Sequence, residues 1–234
     1  MRLKIQHIII LILLFAFASC SIENNATNTI ESSKTIKYLA LGDSYTIGHS
    51  VCDACRFPIQ LQTEIKGILS EKDSIITKII AQTGWTTTNL KAAIVSQNPS
   101  NDYDLVTLLI GVNNQYQNKP FSIYQQEFPE LIATAIAKAK GIKERVIVVS
   151  IPDYAFTPYG NGNPAISSQI DNYNLFAKNY CEANNITFIN ITDITRLGLL
   201  QPNLVATDGL HPSGLAYEKF VERIFPEAKI KLGY

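Results

Sequence analysis

Ile36-Lys37-Tyr38-Leu39-Ala40-Leu41-Gly42-Asp43-Ser44-Tyr45 sets a compact apolar run against a glycine and two small polar residues. The run Ile36 to Leu41 has the length of a buried strand, and Gly42 ends it where the chain can turn sharply. A serine in such a turn projects from the end of the strand, where a substrate can reach it. Asp and Ser are equally common in ordinary strand-to-helix turns, so this stretch alone leaves both readings open.

Working outward, the same alternation repeats down the chain. Pro58 to Leu69 places Ile59, Leu61, Ile65, Ile68 and Leu69 along one helical face, and Ile75 to Ala81 is a β-branched, apolar strand. Helical spacing returns over Thr86 to Ser96. Asp104 to Ile110 is a near-continuous apolar strand ending at Gly111, and Ile123 to Lys140 reads as a long helix with Ser122 as N-cap. Arg145 to Ile151 is a strand stopped by Pro152. Ile166 to Asn184 is a helix, Ile186 to Ile191 a strand, and Ser213 to Phe225 the closing helix, with Pro212 just ahead of it. Strands apolar on both faces, alternating with helices, predict a parallel sheet covered by helices, an α/β sandwich. Such folds place their chemistry in the loops after the carboxyl ends of the strands.

The 234 residues suffice for one domain with a sizeable core, and 46% apolar residues argue against disorder. Twenty basic and 20 acidic residues leave no field of one sign, which argues against a nucleic-acid partner and favours a neutral or modestly polar substrate. Residues 1–19 read as a leader: Arg2 and Lys4 give a positive start, and Ile8 to Ala18 is an apolar run too short for the ~20 helical residues that span a bilayer. Phe17-Ala18-Ser19-Cys20 resembles a bacterial lipobox, with Cys20 acylated as the new N-terminus; ordinary secretory cleavage with Cys20 left free is the alternative. Acyl carbons buried at roughly 0.8 kcal/mol each would hold the protein to a membrane, on the extracytoplasmic side of the cell envelope. Residues 20–35, rich in Asn, Ser and Thr, read as a flexible tether, and 36–234 as the domain.

Cys52 and Cys55 form a C-x-x-C, for which an oxidising compartment favours a local disulfide. A thioredoxin-like redox pair lacks its usual strand-to-helix context, and zinc would need two further ligands. Cys181, within a helical pattern, reads as a buried thiol.

Four short stretches carry chemistry. Gly42-Asp43-Ser44-Tyr45 follows the first strand. Asp208-Gly209-Leu210-His211-Pro212 pairs a carboxylate with an imidazole three residues on: a serine hydroxyl needs a base, and a carboxylate on the other ring nitrogen fixes the tautomer. Gly111-Val112-Asn113-Asn114 follows a strand and offers Asn113 as an amide donor for a developing oxyanion, and Gln82-Thr83-Gly84-Trp85 offers the Gly84 N–H for the same oxygen. Each of these is also a plain turn signal. Once His7 leaves with the leader, His49 and His211 are the two histidines remaining, and His49 reads more simply as a solvated loop residue than as a base. Two histidines and no H-E-x-x-H make a catalytic zinc a poor reading.

Taken together, in the order Ser, Gly, Asn, His, the four stretches resemble the SGNH (GDSL) hydrolase family, over Tyr38 to about Glu222. The resemblance implies a flavodoxin-like α/β/α sandwich with a five-stranded parallel sheet. It implies Ser44 as nucleophile, His211 as general base and Asp208 as its orienting carboxylate, with the Ser44 N–H, the Gly84 N–H and the Asn113 side chain as oxyanion donors. It implies no metal and no organic cofactor. The family's third block usually reads G-x-N-D; here Asn114 stands in place of the aspartate, so the hydrogen bonds around that block are expected to differ. Family members cleave short acyl esters, acetylated sugars, lysophospholipids and thioesters. A small-molecule carboxylic ester is therefore the expected substrate, with acyl transfer or non-catalytic binding as rivals. Trp85 and Tyr116, beside the two oxyanion blocks, are the candidate substrate-binding aromatics, and the loop Tyr154 to Asn163 is a further candidate wall.

Overall fold

The computed structural model describes residues 33–234; the leader, Cys20 and nearly all of the expected tether lie outside the described residues. Five strands alternate with helices: β1 (Thr35–Gly42), β2 (Ser74–Ala81), β3 (Leu105–Leu109), β4 (Val146–Val149) and β5 (Thr187–Ile189). They form a single sheet in the order β2-β1-β3-β4-β5, every pair parallel. The central strands are apolar on both faces because helices cover both: all of β3 and β4 is buried, whereas β2 and β5, at the edges, are only partly so.

Helices α1 (Ser44–Ile47), α2 (Phe57–Ile68), α3 (Thr87–Gln97), α4 (Val112–Tyr116), α5 (Phe121–Lys138), α6 (Pro164–Ala183), α7 (Thr192–Thr195) and α8 (Gly214–Leu232) fill the connections. One layer pairs α2 with α8 against β2 and β3, and the other packs α3, α5 and α6 side by side on the opposite face. The result is the expected three-layer α/β/α sandwich. Register then builds the site: Gly42 lies level with Ala81 of β2 and Leu109 of β3, so the loops after β1, β2 and β3 emerge side by side.

Three boundaries depart from the sequence reading. Thr35, assigned to the tether, is already in β1, and the Lys34 N–H is held by Asp73 Oδ1 at 2.8 Å. Helix α5 begins at Phe121 with Pro120 in the cap position, not at Ile123 behind a Ser122 cap; Pro120, at φ −50°, presets the entry and its carbonyl accepts from Ile123. Helix α8 does not stop before Pro226 but runs to Leu232. The proline costs about 3 kcal/mol, and the turns beyond it bury Ala228 and Leu232 against the core, with Leu232 alone contributing roughly 2 kcal/mol.

Gly42 is needed for space rather than for a turn. A Cβ there would sit 2.4 Å from the Leu109 carbonyl oxygen and 2.1 Å from Thr46 Oγ1, and the carbonyl cannot move without breaking the β1–β3 pairing.

Candidate active site

Asp43 caps the short helix α1 that carries Ser44, its Oδ1 accepting from the Tyr45 N–H at 3.0 Å. The Asp43 side chain is fully buried and Oδ2 has no partner. Burial pushes this carboxyl up to about 8, against the opposing pull of its backbone hydrogen bonds, so it is protonated at neutral pH. Ser44 itself is 4% exposed and opens into a cleft of about 230 Å³. That cleft is lined by Ser44, Tyr45, Thr83, Gly84, Val112, Asn113, Tyr116, Tyr154, Leu210 and His211. Larger grooves exist, one of about 530 Å³ between α6 and the turn joining α4 to α5, but Ser44 and His211 line neither that groove nor the next in size.

Segments 167 positions apart in sequence therefore meet at one cleft. The loop bearing His211 is shaped by a bridge between Val205 and Pro212, by the Ala206 N–H donating to the His211 carbonyl at 2.7 Å, and by Gly209 in the left-handed region at φ +71°. Asp208 accepts four hydrogen bonds. The backbone N–H groups of Leu210 and His211 donate to Oδ1 at 2.9 and 3.0 Å, while His211 Nδ1 and Ser50 Oγ each approach Oδ2 at 2.6 Å. Partial burial raises the Asp208 carboxyl, but the donors outweigh it and hold the group well below the usual carboxylate range. Nδ1 is thus committed to Asp208, leaving Nε2 as the nitrogen available to Ser44. Ser44 Oγ and the ring share the cleft without a hydrogen bond between them, a contact that in such sites often forms only with substrate in place. Burial lowers the His211 pKa below 6.5, the Asp208 bond partly offsets this and nearby His49 adds to it, so the imidazole is neutral, and able to accept a proton, at pH 7.

Asn113 and Gly84 both face the cleft. The Asn113 Nδ2 donates one hydrogen to the Trp85 carbonyl at 3.0 Å, which orients the amide and leaves its second hydrogen free. Gly84 adopts φ +83°, and a Cβ there would meet nothing within 4 Å; its need for glycine lies in the backbone angle. Asn114 explains itself: its Oδ1 accepts from the Thr87 N–H at 2.9 Å and its Nδ2 donates to Thr87 Oγ1 at 2.7 Å, whose own proton goes to Glu127 at 2.5 Å. This buried amide ties α4 to the start of α3, and a carboxylate could not supply the donated bond. Asn114→Asp is expected to destabilise the fold by about 1–3 kcal/mol, measured by urea unfolding; equal or greater stability of the variant would refute this assignment.

Of the candidate aromatics, Tyr116 lines the cleft and shares a 2.7 Å hydrogen bond with Tyr159 from the 154–163 loop, whereas Trp85 does not line it and packs against the core. Tyr154 from that same loop also lines it. Cys52 and Cys55 are joined as a disulfide, and Cys181 is a buried thiol pushed up to about 12 by burial. His49 is exposed but not remote: its ring lies 4.6 Å from that of His211, and its Nδ1 is 3.0 Å from Thr83 Oγ1. His49, Asp208 and His211 bring ligand atoms within 4.8 Å of one another. The carboxylate oxygens and His211 Nδ1 are already spent on one another and on protein donors, so the set fits a hydrogen-bonded triad better than a cation. Neither Ser50 nor Thr83 stood out in the sequence, because each is a small polar residue in a loop.

A serine-bearing turn, an Asp–His pair and two amide groups thus meet around one cleft at the carboxyl edge of a parallel sheet. The model of the GDSL-like Lipase/Acylhydrolase family matches residues 40–219, and the chain belongs to that family. No curated protein matches the sequence. Among solved structures, the lipase/acylhydrolase from Enterococcus faecalis aligns at 20% identity and a TM-score of 0.63, covering 84% of this chain and 96% of that one. The psychrotrophic esterase EstA from Pseudoalteromonas sp., in a structure inhibited by monoethylphosphonate, aligns at 18% identity and 0.59, covering 85% and 99%. A catalytic mutant of Axe2, an acetylxylan esterase from Geobacillus stearothermophilus, aligns at 18% identity and 0.58, covering 86% and 96%. The protein is a carboxylic ester hydrolase on an α/β fold shared with these structures.

Proposed function

We propose that the protein hydrolyses short-acyl carboxylic esters, acetylated sugars among them, through a Ser44–His211–Asp208 triad and an acyl-enzyme. The observation that carries this reading is the 2.6 Å pairing of Asp208 Oδ2 with His211 Nδ1 at a cleft also lined by Ser44, Gly84 and Asn113. Ser44 Oγ attacks the acyl carbon as His211 Nε2 takes its proton. The Ser44 and Gly84 N–H groups and the free hydrogen of the Asn113 amide receive the oxyanion. His211 then protonates the leaving alcohol, and in the second half it deprotonates the water that releases the acid. Asp208, kept ionised, holds the imidazole in the tautomer that leaves Nε2 unprotonated.

Substrate size follows from the cleft. About 230 Å³ accommodates an acetyl or similarly short acyl group and part of an alcohol, but not an extended fatty chain. Tyr116, a residue 46% exposed, and Tyr154 offer faces against which a sugar ring would lie. That the Axe2 structure is of an acetylxylan esterase supports this direction. A screen of p-nitrophenyl esters from acetyl to palmitoyl, with acetylated xylo-oligosaccharides alongside, tests it: kcat/KM should be highest at the acetyl end, and a maximum at eight carbons or beyond would overturn the short-acyl reading.

Asn113→Ala is expected to lower kcat by roughly 10²–10³-fold with little change in KM, since it removes a donor aimed at charge that develops only in the transition state; steady-state kinetics on p-nitrophenyl acetate decide it. We also propose that the enzyme acts outside the cytoplasm, anchored through an acylated Cys20, a reading supported by the lipobox-like stretch and by the Cys52–Cys55 disulfide, which persists in oxidising compartments. Metabolic labelling with a palmitate analogue, lost in Cys20→Ala, tests this. Among the described residues no helix is long and apolar enough to cross a membrane.

A further inference from the structure

The loop between α1 and α2 begins at the end of the helix that carries Ser44 and touches the other two members of the proposed triad with consecutive residues. The His49 ring lies 4.6 Å from that of His211, and Ser50 Oγ donates to Asp208 Oδ2 at 2.6 Å, across 158 positions of sequence. The same oxygen pairs with His211 Nδ1 at the same distance. We propose that Ser50 is a positioning residue for Asp208, held at its post by the disulfide-closed loop 48–56; this rests on the triad reading above.

Three features separate this contact from an incidental loop hydrogen bond. Ser50 sits at φ +66°, a left-handed conformation that serine adopts at a cost and that persists where the surroundings enforce it. The loop is pinned at its near end by the His49 N–H donating to the Ser44 carbonyl at 3.0 Å and by the Val51 N–H donating to the Gly48 carbonyl at 3.3 Å. At its far end the Cys52–Cys55 disulfide closes the chain two residues past Ser50, and Gln60 Nε2 donates to both the Cys55 carbonyl at 2.6 Å and the Gly214 carbonyl at 3.0 Å. Gly214 opens α8, three residues after His211. The loop is therefore a strap from the Ser44 helix to the segment bearing Asp208 and His211.

The hydroxyl has a definite task. Asp208 Oδ1 is fixed by two backbone N–H groups, but Oδ2 would otherwise meet only the imidazole and could swing out of the ring plane. A second donor on Oδ2 sets the carboxylate plane and so the direction of the bond that orients His211. It also draws charge from that oxygen, so its loss should make the carboxylate a stronger partner for the imidazolium and move the His211 titration upward.

The test uses the full-length protein with p-nitrophenyl acetate. Ser50→Gly suits the left-handed backbone and removes only the hydroxyl, so the fold should be kept, and thermal unfolding checks this. We expect kcat to fall about 5–20-fold with KM within twofold, and the acid limb of the pH–rate profile to move to higher pH. Ser50→Asn, which tolerates φ > 0 and carries an amide donor, should recover much of the loss. Cys52→Ser/Cys55→Ser should lower kcat in the same way, and combining it with Ser50→Gly should cost less than the product of the two effects. A folded Ser50→Gly variant with the parent's kcat and pH profile would overturn the proposal. So would a loss in Ser50→Gly that leaves the pH profile in place and that Ser50→Asn does not recover, since that is what loop damage alone gives. Ser44→Ala, run in parallel, separates the two levels: an inactive Ser44→Ala beside an unaffected Ser50→Gly refutes the strap alone, whereas a fully active Ser44→Ala removes the triad and the strap together.

Discussion

Ser44→Ala is expected to lower kcat toward p-nitrophenyl acetate by on the order of 10⁴–10⁶-fold while shifting Tm by less than about 2 °C. The size of the loss follows from the proposed mechanism: without Oγ no acyl-enzyme would form, and the remaining oxyanion donors would act only on direct attack by water. The small structural effect follows from the site. Ser44 begins a four-residue helix whose cap is the Asp43 side chain, and its own carbonyl accepts from the N–H groups of Gly48 and His49. None of these bonds involves the hydroxyl, and alanine is a good residue for a helix start. Kinetics and differential scanning calorimetry on the same preparation read both quantities. A variant as active as its parent removes Ser44 from the reaction.

The second large effect concerns stability. Asp43 is buried with one carboxyl oxygen unpartnered and a pKa raised from 3.8 to about 8. Between those two values the unfolded chain gives up a proton that the folded chain keeps, so stability falls as pH rises and the full penalty is present only above about 8. An asparagine at this position would have nothing to ionise. Asp43→Asn keeps an oxygen to accept from the Tyr45 N–H, and its stability advantage over the parent should grow from near zero at pH 4 to several kcal/mol at pH 8, on the order of 1.4 kcal/mol per pH unit. Urea unfolding at pH 5, 6, 7 and 8 gives the slope. An advantage that is flat with pH would show that Asp43 is ionised in the folded protein. Asp208 works in the opposite sense: its lowered pKa contributes stability that is present above the ordinary carboxylate range and lost as acidification proceeds from that range down through the lower folded-state value.

These two carboxylates mark what could and could not be read from sequence. The strands were legible because each central one is buried on both faces, so Leu105–Leu109 and Val146–Val149 are unbroken or nearly unbroken apolar runs. The Asp208–His211 pair was legible because both partners lie within one turn of chain. The Ser, Gly and Asn blocks were legible as a set because parallel topology brings the loops after β1, β2 and β3 to one edge, and that topology follows from strand–helix alternation. Contacts between distant segments were not. Nothing near Gly42 points to the Leu109 carbonyl that excludes a side chain there, and nothing near Ser50 points to Asp208. Trp85 stood beside an oxyanion block in sequence; its ring is not among the residues lining the cleft, and its backbone carbonyl accepts from Asn113. Pro226 reads as a helix stop by local rule, and burial of Ala228 and Leu232 beyond it outweighs that rule. Asn114 departs from the usual family residue, and only Thr87, 27 positions earlier, gives the reason.

The Asp43 protonation and the strap through Ser50 have a common setting. The turn that presents Ser44 is dry beneath and wet above: Asp43 is sealed in the core, while the loop from His49 onward is largely exposed and reaches over to Asp208 and His211. Rigidity below the serine and a covalently closed loop beside it are a means of holding a cleft of about 230 Å³ to fixed dimensions.

The claim on which the rest depends is that the Ser44 hydroxyl becomes covalently acylated during turnover, and active-site labelling followed by peptide mass spectrometry reads it directly. With a fluorophosphonate probe, one adduct per chain should appear on the peptide containing Gly42-Asp43-Ser44-Tyr45, loss of activity should track its formation, and His211→Ala should slow labelling by orders of magnitude. Complete inactivation with the adduct on another residue, or esterase activity that persists after Ser44 is fully labelled, would contradict it.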